Sequence, residues 1–436
     1  MKRQPTVGIY TLGCKVNQYE SEAIAERFSA KGFSVLPPNG ACDVYVINTC
    51  TVTAESDRKS RQFIRRAISK NPDAYILVTG CLSQTAPDTV SAIEGVDYIC
   101  GNTEKLSVVE AAEQLLAKGK KSEAPRQCVA PIENAPFEEM HIKSFDRTRA
   151  YIKIEDGCES HCTYCIIPRA RGSIRSKPLE DVVREIQALT ADGCREVVLT
   201  GIETASWGRD IGANLADLLE AVDKIKGIGR VRLGSLDPSL IKPAFVERIA
   251  KLPSLAPHFH LSMQSGSDRI LALMKRKYNA EMALRGMQLL RDAMPNVQFT
   301  TDMILGFPHE GQEEFKETLA FIEKARFLMI HAFPYSARRG TPAAVMENQV
   351  PEAIRHERVR ILSARQAEIR RAVLEEALKA RPHVTVLFED YKNGFAYGHT
   401  DNFIQVRVPS PRAMRSIFAD ASVEDTDGEC LIGQLI

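Results

Sequence analysis

The 436-residue sequence has almost no net charge: 57 lysines and arginines stand against 56 acids, a formal +1. A whole-chain attraction to nucleic acid or to a membrane surface is thereby excluded, and only local clusters of base can hold phosphate. Long apolar runs are also missing. Nowhere does the chain offer the ~20 consecutive apolar residues that cross a bilayer, so no membrane partner is expected. The opening Met1-Lys2-Arg3-Gln4-Pro5 contains no apolar leader segment. The expected location is cytoplasmic, where thiols stay reduced and disulfides are rare. There is a single tryptophan and only 7 % aromatics, yet 44 % of residues are hydrophobic. That share is ordinary for a globular chain, and the length suffices for two or three cored domains.

Cysteine is not scarce: there are 11. Three lie in Cys158-Glu-Ser-His-Cys162-Thr-Tyr-Cys165, just after the β-rich run Ala150-Tyr151-Ile152-Lys153-Ile154. A loop of that length can turn three sulfurs toward one point. An iron–sulfur cube normally takes four thiolates, so three protein ligands leave one iron open. A zinc site completed by His161, or buried structural thiols, are the alternatives.

The first hundred residues repeat one unit. Strands Val7–Tyr10, Val44–Ile47 and Ala74–Val78 are followed by Cys14, Cys50 and Cys81, and then by helical stretches near Gln18–Lys31, Glu55–Lys70 and Ala86–Glu94. Alternating strand and helix predicts a parallel sheet with right-handed crossovers, whose ligand edge lies beyond the carboxyl ends of the strands. Three cysteines distant in sequence then meet at one edge. The alternative is three unrelated core thiols. Each of the three, however, sits in a polar loop.

A proline-bearing stretch of mixed charge, about Gly119–Phe145, reads as a linker. Beyond it come candidate strands Ala150–Ile154, Glu196–Thr200, Arg230–Gly234, His258–Ser262, Gln298–Leu305 and Phe327–His331. Six βα units predict a partial or full parallel barrel with its chemistry at the C-terminal strand ends. Gly201, Glu203, Ser235, Asp237, Ser262, Gln264, Asp302 and Gly306 stand at those ends. Singly they are turn or capping residues. Together they can line a pocket for a polar, zwitterionic ligand, with Glu203 accepting from an ammonium group and Ser235 and Asp237 bonding ribose hydroxyls.

At these residues the sequence resembles a known family. Cys-x3-Cys-x2-Cys after a barrel's first strand is similar to the radical S-adenosylmethionine (SAM) enzymes. Leu12–Gln18, Asn48–Thr53, Gly80-Cys81, Gly157–Gly172 and Phe333–Thr341 resemble the methylthiotransferases among them, over roughly Val7 to Ala344. The resemblance implies an α/β protein of three parts: an N-terminal parallel-sheet domain over 1–125, a radical SAM partial TIM barrel over 145–375, and a small TRAM-like β-barrel over 376–436. It implies two [4Fe–4S] clusters, one on Cys158, Cys162 and Cys165 and an auxiliary one on Cys14, Cys50 and Cys81. SAM would bind the open iron of the first and yield a 5′-deoxyadenosyl radical, with Tyr164 near its adenine and Gly201 and Glu203 toward its methionine end. At Asp237 many relatives carry the longer Glu. The loops at Gly13–Gln18 and Asn48–Thr53 are most similar to the branch that adds a methylthio group at C2 of N6-threonylcarbamoyladenosine beside the tRNA anticodon. Partners implied are a tRNA anticodon stem-loop, an external electron donor and a sulfur source.

The same chemistry on isopentenyladenosine or on a ribosomal-protein aspartate is a sister reading. A non-catalytic iron–sulfur carrier and a zinc-stabilised RNA-binding protein are rivals of another class. RNA contact is expected from basic clusters: Arg58, Lys59, Arg61, Arg65, Arg66 and Lys70; Arg169, Arg171, Arg175 and Lys177; Lys275-Arg276-Lys277; Arg338-Arg339; and Arg355, Arg358, Arg360, Arg365, Arg370 and Arg371. From Pro382 on, short strands are expected at Val384–Phe388, Gly394–Gly398 and Phe403–Val408, and the whole segment carries eight acids and four bases. That tail is a net-acidic barrel with a weaker claim on RNA.

Overall fold

The computed structural model describes residues 3–121, 123–145 and 148–436, so Met1 and Lys2 of the opening segment lie outside it. In the N-terminal part, β1 (Thr6–Thr11), β2 (Ser34–Leu36), β3 (Val44–Thr49), β4 (Tyr75–Gly80), β5 (Tyr98–Cys100) and β6 (Arg126–Cys128) form one sheet in the order β2-β1-β3-β4-β5-β6. Every pairing is parallel. β3 and β4 are buried at every residue, as expected of apolar strands covered by helices on both faces. The helix Ala54–Lys70 starts where the Thr53 hydroxyl accepts from Ser56 N at 3.0 Å, with Glu55 and Asp57 in its first turn and Lys70 in its last. That arrangement satisfies the cap and complements the helix dipole.

Two expectations need correction. The helix expected at Ala86–Glu94 is two short pieces, Cys81–Thr85 and Pro87–Ser91. Pro87 cannot continue a helix, and it forces Ala86 out of helical geometry. The stretch expected as a linker supplies β6, so the sheet runs past residue 125. Its Met140 and Ile142 are buried in the core of the following barrel.

That barrel is built from β7 (Ala150–Lys153), β10 (Glu196–Thr200), β11 (Arg230–Leu233), β12 (Ser235–Leu236), β13 (His258–Gln264), β14 (Gln298–Leu305) and β15 (Met329–Pro334). All pairings are parallel: β11-β10-β7 in one set and β12-β13-β14-β15 in the other. β11 and β12 are one stave interrupted at Gly234, whose N–H bonds Leu199 O at 2.7 Å. Six staves make a partial barrel. Between β7 and β10, the short antiparallel pair β8 (Glu155–Asp156) and β9 (Arg175–Ser176) ties off the base of the cysteine loop.

A helix over Glu352–Ala380 packs on β15 and leads into a closed five-stranded barrel. Its strands are β16 (His383–Lys392), β17 (Phe395–His399), β18 (Gln405–Pro409), β19 (Phe418–Thr426) and β20 (Leu431–Leu435). Three of the five were legible in the sequence. The turn before β18 plugs the N-terminal end of the large barrel. Phe403 stacks between His258 (4.4 Å between centroids) and His399 (4.6 Å), and the Arg232 guanidinium lies over its ring. Arg232 also donates to the carbonyls of Asp401 (2.8 Å) and Thr400 (2.6 Å).

Candidate active site

The carboxyl ends of β1, β3 and β4 carry Cys14, Cys50 and Cys81 to one edge of the sheet. A Cβ added at Gly13 would stand 2.9 Å from Cys50 Sγ, so these two loops touch. Gly13 has φ +100°, a conformation side chains rarely adopt. Burial raises the Cys14 and Cys50 thiols, Cys50 to about 11; the charge of Cys81 adds to the rise at both, and that of Cys14 to the rise at Cys50. Two features oppose that rise at Cys14: the Arg171 guanidinium and the Asn17 N–H aimed at its sulfur. Cys14 also caps the helix Lys15–Ala30, where the dipole favours a thiolate. Asn102, fully buried, donates to Cys81 Sγ (3.5 Å) and to Ala170 O (2.7 Å), joining this edge to the second cysteine loop.

In the second loop, burial pushes the Cys158 and Cys165 thiols up, Cys165 to about 12; the charge of Cys165 adds to the rise at Cys158 and that of Cys162 to the rise at Cys165. Ser160 N and Ile167 N point at the sulfurs of Cys158 and Cys165, each at 3.4 Å, and Arg276 Nη1 lies 3.1 Å from Cys162 Sγ. Such N–H donors favour thiolates and tune a cluster's potential. All eleven cysteines are free thiols. Among the described residues, no three His, Cys, Asp or Glu groups converge on a point that would hold one metal ion. A cubane cluster is larger than an ion and keeps its thiolates farther apart.

A cavity of about 650 Å³ fills the barrel mouth. Gly13, Cys14 and Lys15 cap it from the N-terminal sheet. Gly201, Ser235, Asp302, His260 and His331 line its walls, and Arg232, His258 and Phe403 form its floor. Cys14 is exposed only in the sense that it opens into this space. Of the nine residues expected to form the SAM pocket, Gly201, Ser235 and Asp302 line this cavity together. Glu203 stands beside the radical-type triad, its Oε2 accepting from Cys158 Sγ (3.1 Å) and Ser160 Oγ (2.9 Å). Asp237 is engaged by Arg276 Nη2 at 2.9 Å, and the Ser262 carbonyl accepts from Arg276 and from the Tyr278 hydroxyl. Tyr164 packs edge-on against Phe307. Gln264 takes a positive φ of 64° at the end of β13. Gly306 N–H bonds Glu310 Oε1 at 2.8 Å beneath the side chain of Arg355.

Residues 152–322 match the radical SAM superfamily, and residues 6–101 match a family described as uncharacterized protein family UPF0004. The threonylcarbamoyladenosine tRNA methylthiotransferase MtaB of Bacillus subtilis (strain 168) is 41 % identical over 92 % of this chain and 90 % of its own. The chain belongs to the radical SAM methylthiotransferases. The tRNA-2-methylthio-N(6)-dimethylallyladenosine synthase of Aquifex aeolicus (strain VF5) is 33 % identical over 90 % of each chain. Among solved structures, the radical S-adenosylmethionine methyltransferase TsrM of Kitasatospora setae has a TM-score of 0.56 at 16 % identity, covering 79 % of this chain and 77 % of that one. That likeness concerns the fold. Membership makes this methylthiotransferase a transferase that uses SAM and a [4Fe–4S] cluster.

Behind the two cysteine loops lies a buried ion cluster. Glu20, from the N-terminal sheet's first helix, accepts from Lys153 Nζ (2.8 Å) and Arg171 Nη1 (2.7 Å), and it pairs with Lys105. Asp156 shares Lys153 (2.7 Å) and Arg171 (3.0 Å). Arg171 also reaches Asn17 Oδ1 (2.5 Å), while Asn17 Nδ2 donates to Leu12 O and Thr49 O, so the network fixes the loops of Cys14 and Cys50. Burial alone would neutralise Glu20; Arg171, Lys105 and Lys153 hold it well below the usual carboxylate range instead.

This methylthiotransferase therefore departs from several surface expectations. Arg171, Arg175 and Lys177 are buried; paired inside with Asp156, Glu20 and Glu185, they are unavailable to RNA. Arg276 turns inward to Cys162 and Asp237. Arg338 is buried against Asp57 (2.7 Å) and Thr51 Oγ1 (2.7 Å), docking its segment on the Cys50 loop. Arg358 is buried with Glu310, and Arg365 pairs with Glu323 and Glu368. Charge counting along the sequence cannot separate a solvated cation from one whose acceptor comes from a distant element. Asn102, Arg276, His260 and His331 were missed as site residues. The Lys-Arg-Lys run masked Arg276, and only the period-2 pattern of β13 and β15 could have aimed the histidines inward.

Proposed function

We propose that this enzyme adds a methylthio group to C2 of N6-threonylcarbamoyladenosine next to the tRNA anticodon, using two [4Fe–4S] clusters. One observation carries the reading: Cys14 opens into the same cavity as Gly201, Ser235 and Asp302, so a sulfur donor at the first triad would face a radical source at the second. The greater identity to the threonylcarbamoyladenosine enzyme (41 %) than to the dimethylallyladenosine enzyme (33 %) supports the base. The donor sets fit the groups. Cys14, Cys50 and Cys81 are soft ligands beside Arg171 and backbone N–H groups, and Cys158, Cys162 and Cys165 lie beside Arg276.

When bound, the clusters and SAM supply the methyl donation, hydrogen abstraction and sulfur transfer. The chain positions the reactants. Glu203 accepts from the ammonium group of SAM. Ser235, Asp237, Ser262, Gln264, Asp302 and Gly306 border its ribose and methionine portions, and Tyr164 its adenine. Arg276 holds Asp237 and Cys162 in register. The TRAM-like plug and the capping N-terminal sheet exclude water from the base. The target base must leave the anticodon loop's stack to enter. Phosphates are met by the exposed Arg58, Lys59, Arg65, Arg66 and Lys70 and by Arg169, Lys275, Lys277 and Arg339 around the mouth. An external electron donor and a sulfur source complete the cycle in the cytoplasm. Among the described residues no helix is long and apolar enough to cross a membrane. Nucleoside mass spectrometry of a deletion strain tests the proposal: 2-methylthio-N6-threonylcarbamoyladenosine should disappear and return on complementation. Its persistence would refute the assignment.

A further inference from the structure

The cavity into which Cys14 opens is polar where the substrate's N6 substituent would lie. Asp302 from β14 faces His260 Nε2 at 3.4 Å, His331 from β15 stands alongside with its ring 6.1 Å from that of His260, and Lys15 approaches from the capping sheet. Three cations line the cavity. Arg149 and Arg232 are committed to Glu196, at 2.6 and 2.8 Å. Lys15 lines the same cavity and forms no ion pair among the described residues. A cation turned into a partly enclosed cavity without a paired carboxylate is an unused binding group, because burying it beside an apolar ligand would leave it uncompensated.

The geometry points to Lys15 as the residue that binds the carboxylate of the threonylcarbamoyl substituent. The inference rests on the proposed substrate and names how that substrate is told from a dimethylallyl one. A threonylcarbamoyl group brings one negative charge and several hydrogen-bonding atoms. A dimethylallyl group brings none, and would leave Lys15 unpaired. Sites built to bond polar groups reject analogues lacking them far more strongly than apolar pockets reject a methylene. Lys15 directly follows Cys14, so the same loop that presents the first triad also reads the substituent. Recognition and sulfur placement are thereby coupled.

The test uses cluster-loaded enzyme and two anticodon stem-loop RNAs. One bears N6-threonylcarbamoyladenosine, and the other bears the same group with its carboxylate converted to the neutral primary amide. The wild type should bind the acid about 10- to 100-fold more tightly than the amide, the span of one charge-assisted hydrogen bond. Lys15→Met should lose that preference by weakening the acid alone, and Lys15→Arg should recover part of it. A Lys15→Met enzyme that keeps the preference at full iron content overturns the inference, as does one whose SAM affinity falls instead. If the variant loses its clusters, the wild type alone still decides: equal binding of acid and amide overturns the inference. A wild type that binds but never methylthiolates the acid RNA refutes the substrate assignment itself, a separate result.

Discussion

Replacing Glu20 by Gln removes one of two carboxylates that neutralise Lys105, Lys153 and Arg171 in the interior. The amide keeps the shape and one acceptor oxygen, but Lys105 is left with only Asn48 Oδ1 at 3.3 Å, and Lys153 and Arg171 must share Asp156. Removing one partner of a buried ion pair costs about 3–5 kcal/mol. The retained acceptor argues for the lower end, and for a unit of this size that corresponds to a fall in Tm of roughly 6–12 °C. Glu20 belongs to the first helix, whereas Lys153, Asp156 and Arg171 belong to the barrel. The loss should therefore fall on the junction that holds the two cysteine loops face to face. Anaerobic calorimetry of the loaded enzyme, with iron counted in the same sample, measures both effects. Expected are a lowered first transition, near-normal iron, and methylthiolation reduced more than SAM cleavage. A Tm within about 2 °C of wild type, less than ~1 kcal/mol for a unit of this size, would refute the idea that this network joins the domains.

Three further outcomes follow from particular contacts. Cys14→Ala and Cys158→Ala should each halve the iron and sulfide of anaerobically purified enzyme, and loss of both clusters from either change would contradict two separate sites. Gly13→Ala should deplete the first site alone, because the new Cβ meets Cys50 Sγ at 2.9 Å in a backbone held at φ +100°; iron content identical to wild type would argue against that reading. At Glu196, burial would raise the carboxyl, but Arg232, Arg149 and Arg230 overrule it and hold it at about 2. A carboxyl depressed in the folded state stabilises fully above its unfolded value of ~4.3 and loses that contribution as pH falls toward the folded value. The stability advantage of wild type over Glu196→Gln in chemical denaturation should thus be flat from about pH 8 to 5.5 and shrink only below ~4.5; a decline already at neutral pH would refute it.

The elements that carry strong local signals were legible before any coordinates. β3 opens on the apolar run Val44–Ile47, and β14 coincides with the strand expected at Gln298–Leu305. The cysteines just beyond β1, β3 and β4 also fall at the expected place, because parallel topology fixes which strand ends share an edge. What escaped was decided by partners far away in the chain. Arg171 and Arg276 look like surface charge until Glu20, 151 residues away from Arg171, and Asp237, 39 away from Arg276, supply their counter-charges. Asn17 and Asn48 belong to the polar stretches around Cys14 and Cys50; both are buried and spend their amides bracing those loops. The polar residues around the cysteines thus divide by a physical criterion. Those whose hydrogen-bonding capacity is consumed by the fold are scaffold. Those such as Lys15, which reach a cavity with capacity to spare, remain for substrate. Only the three-dimensional account of donors and acceptors draws that line.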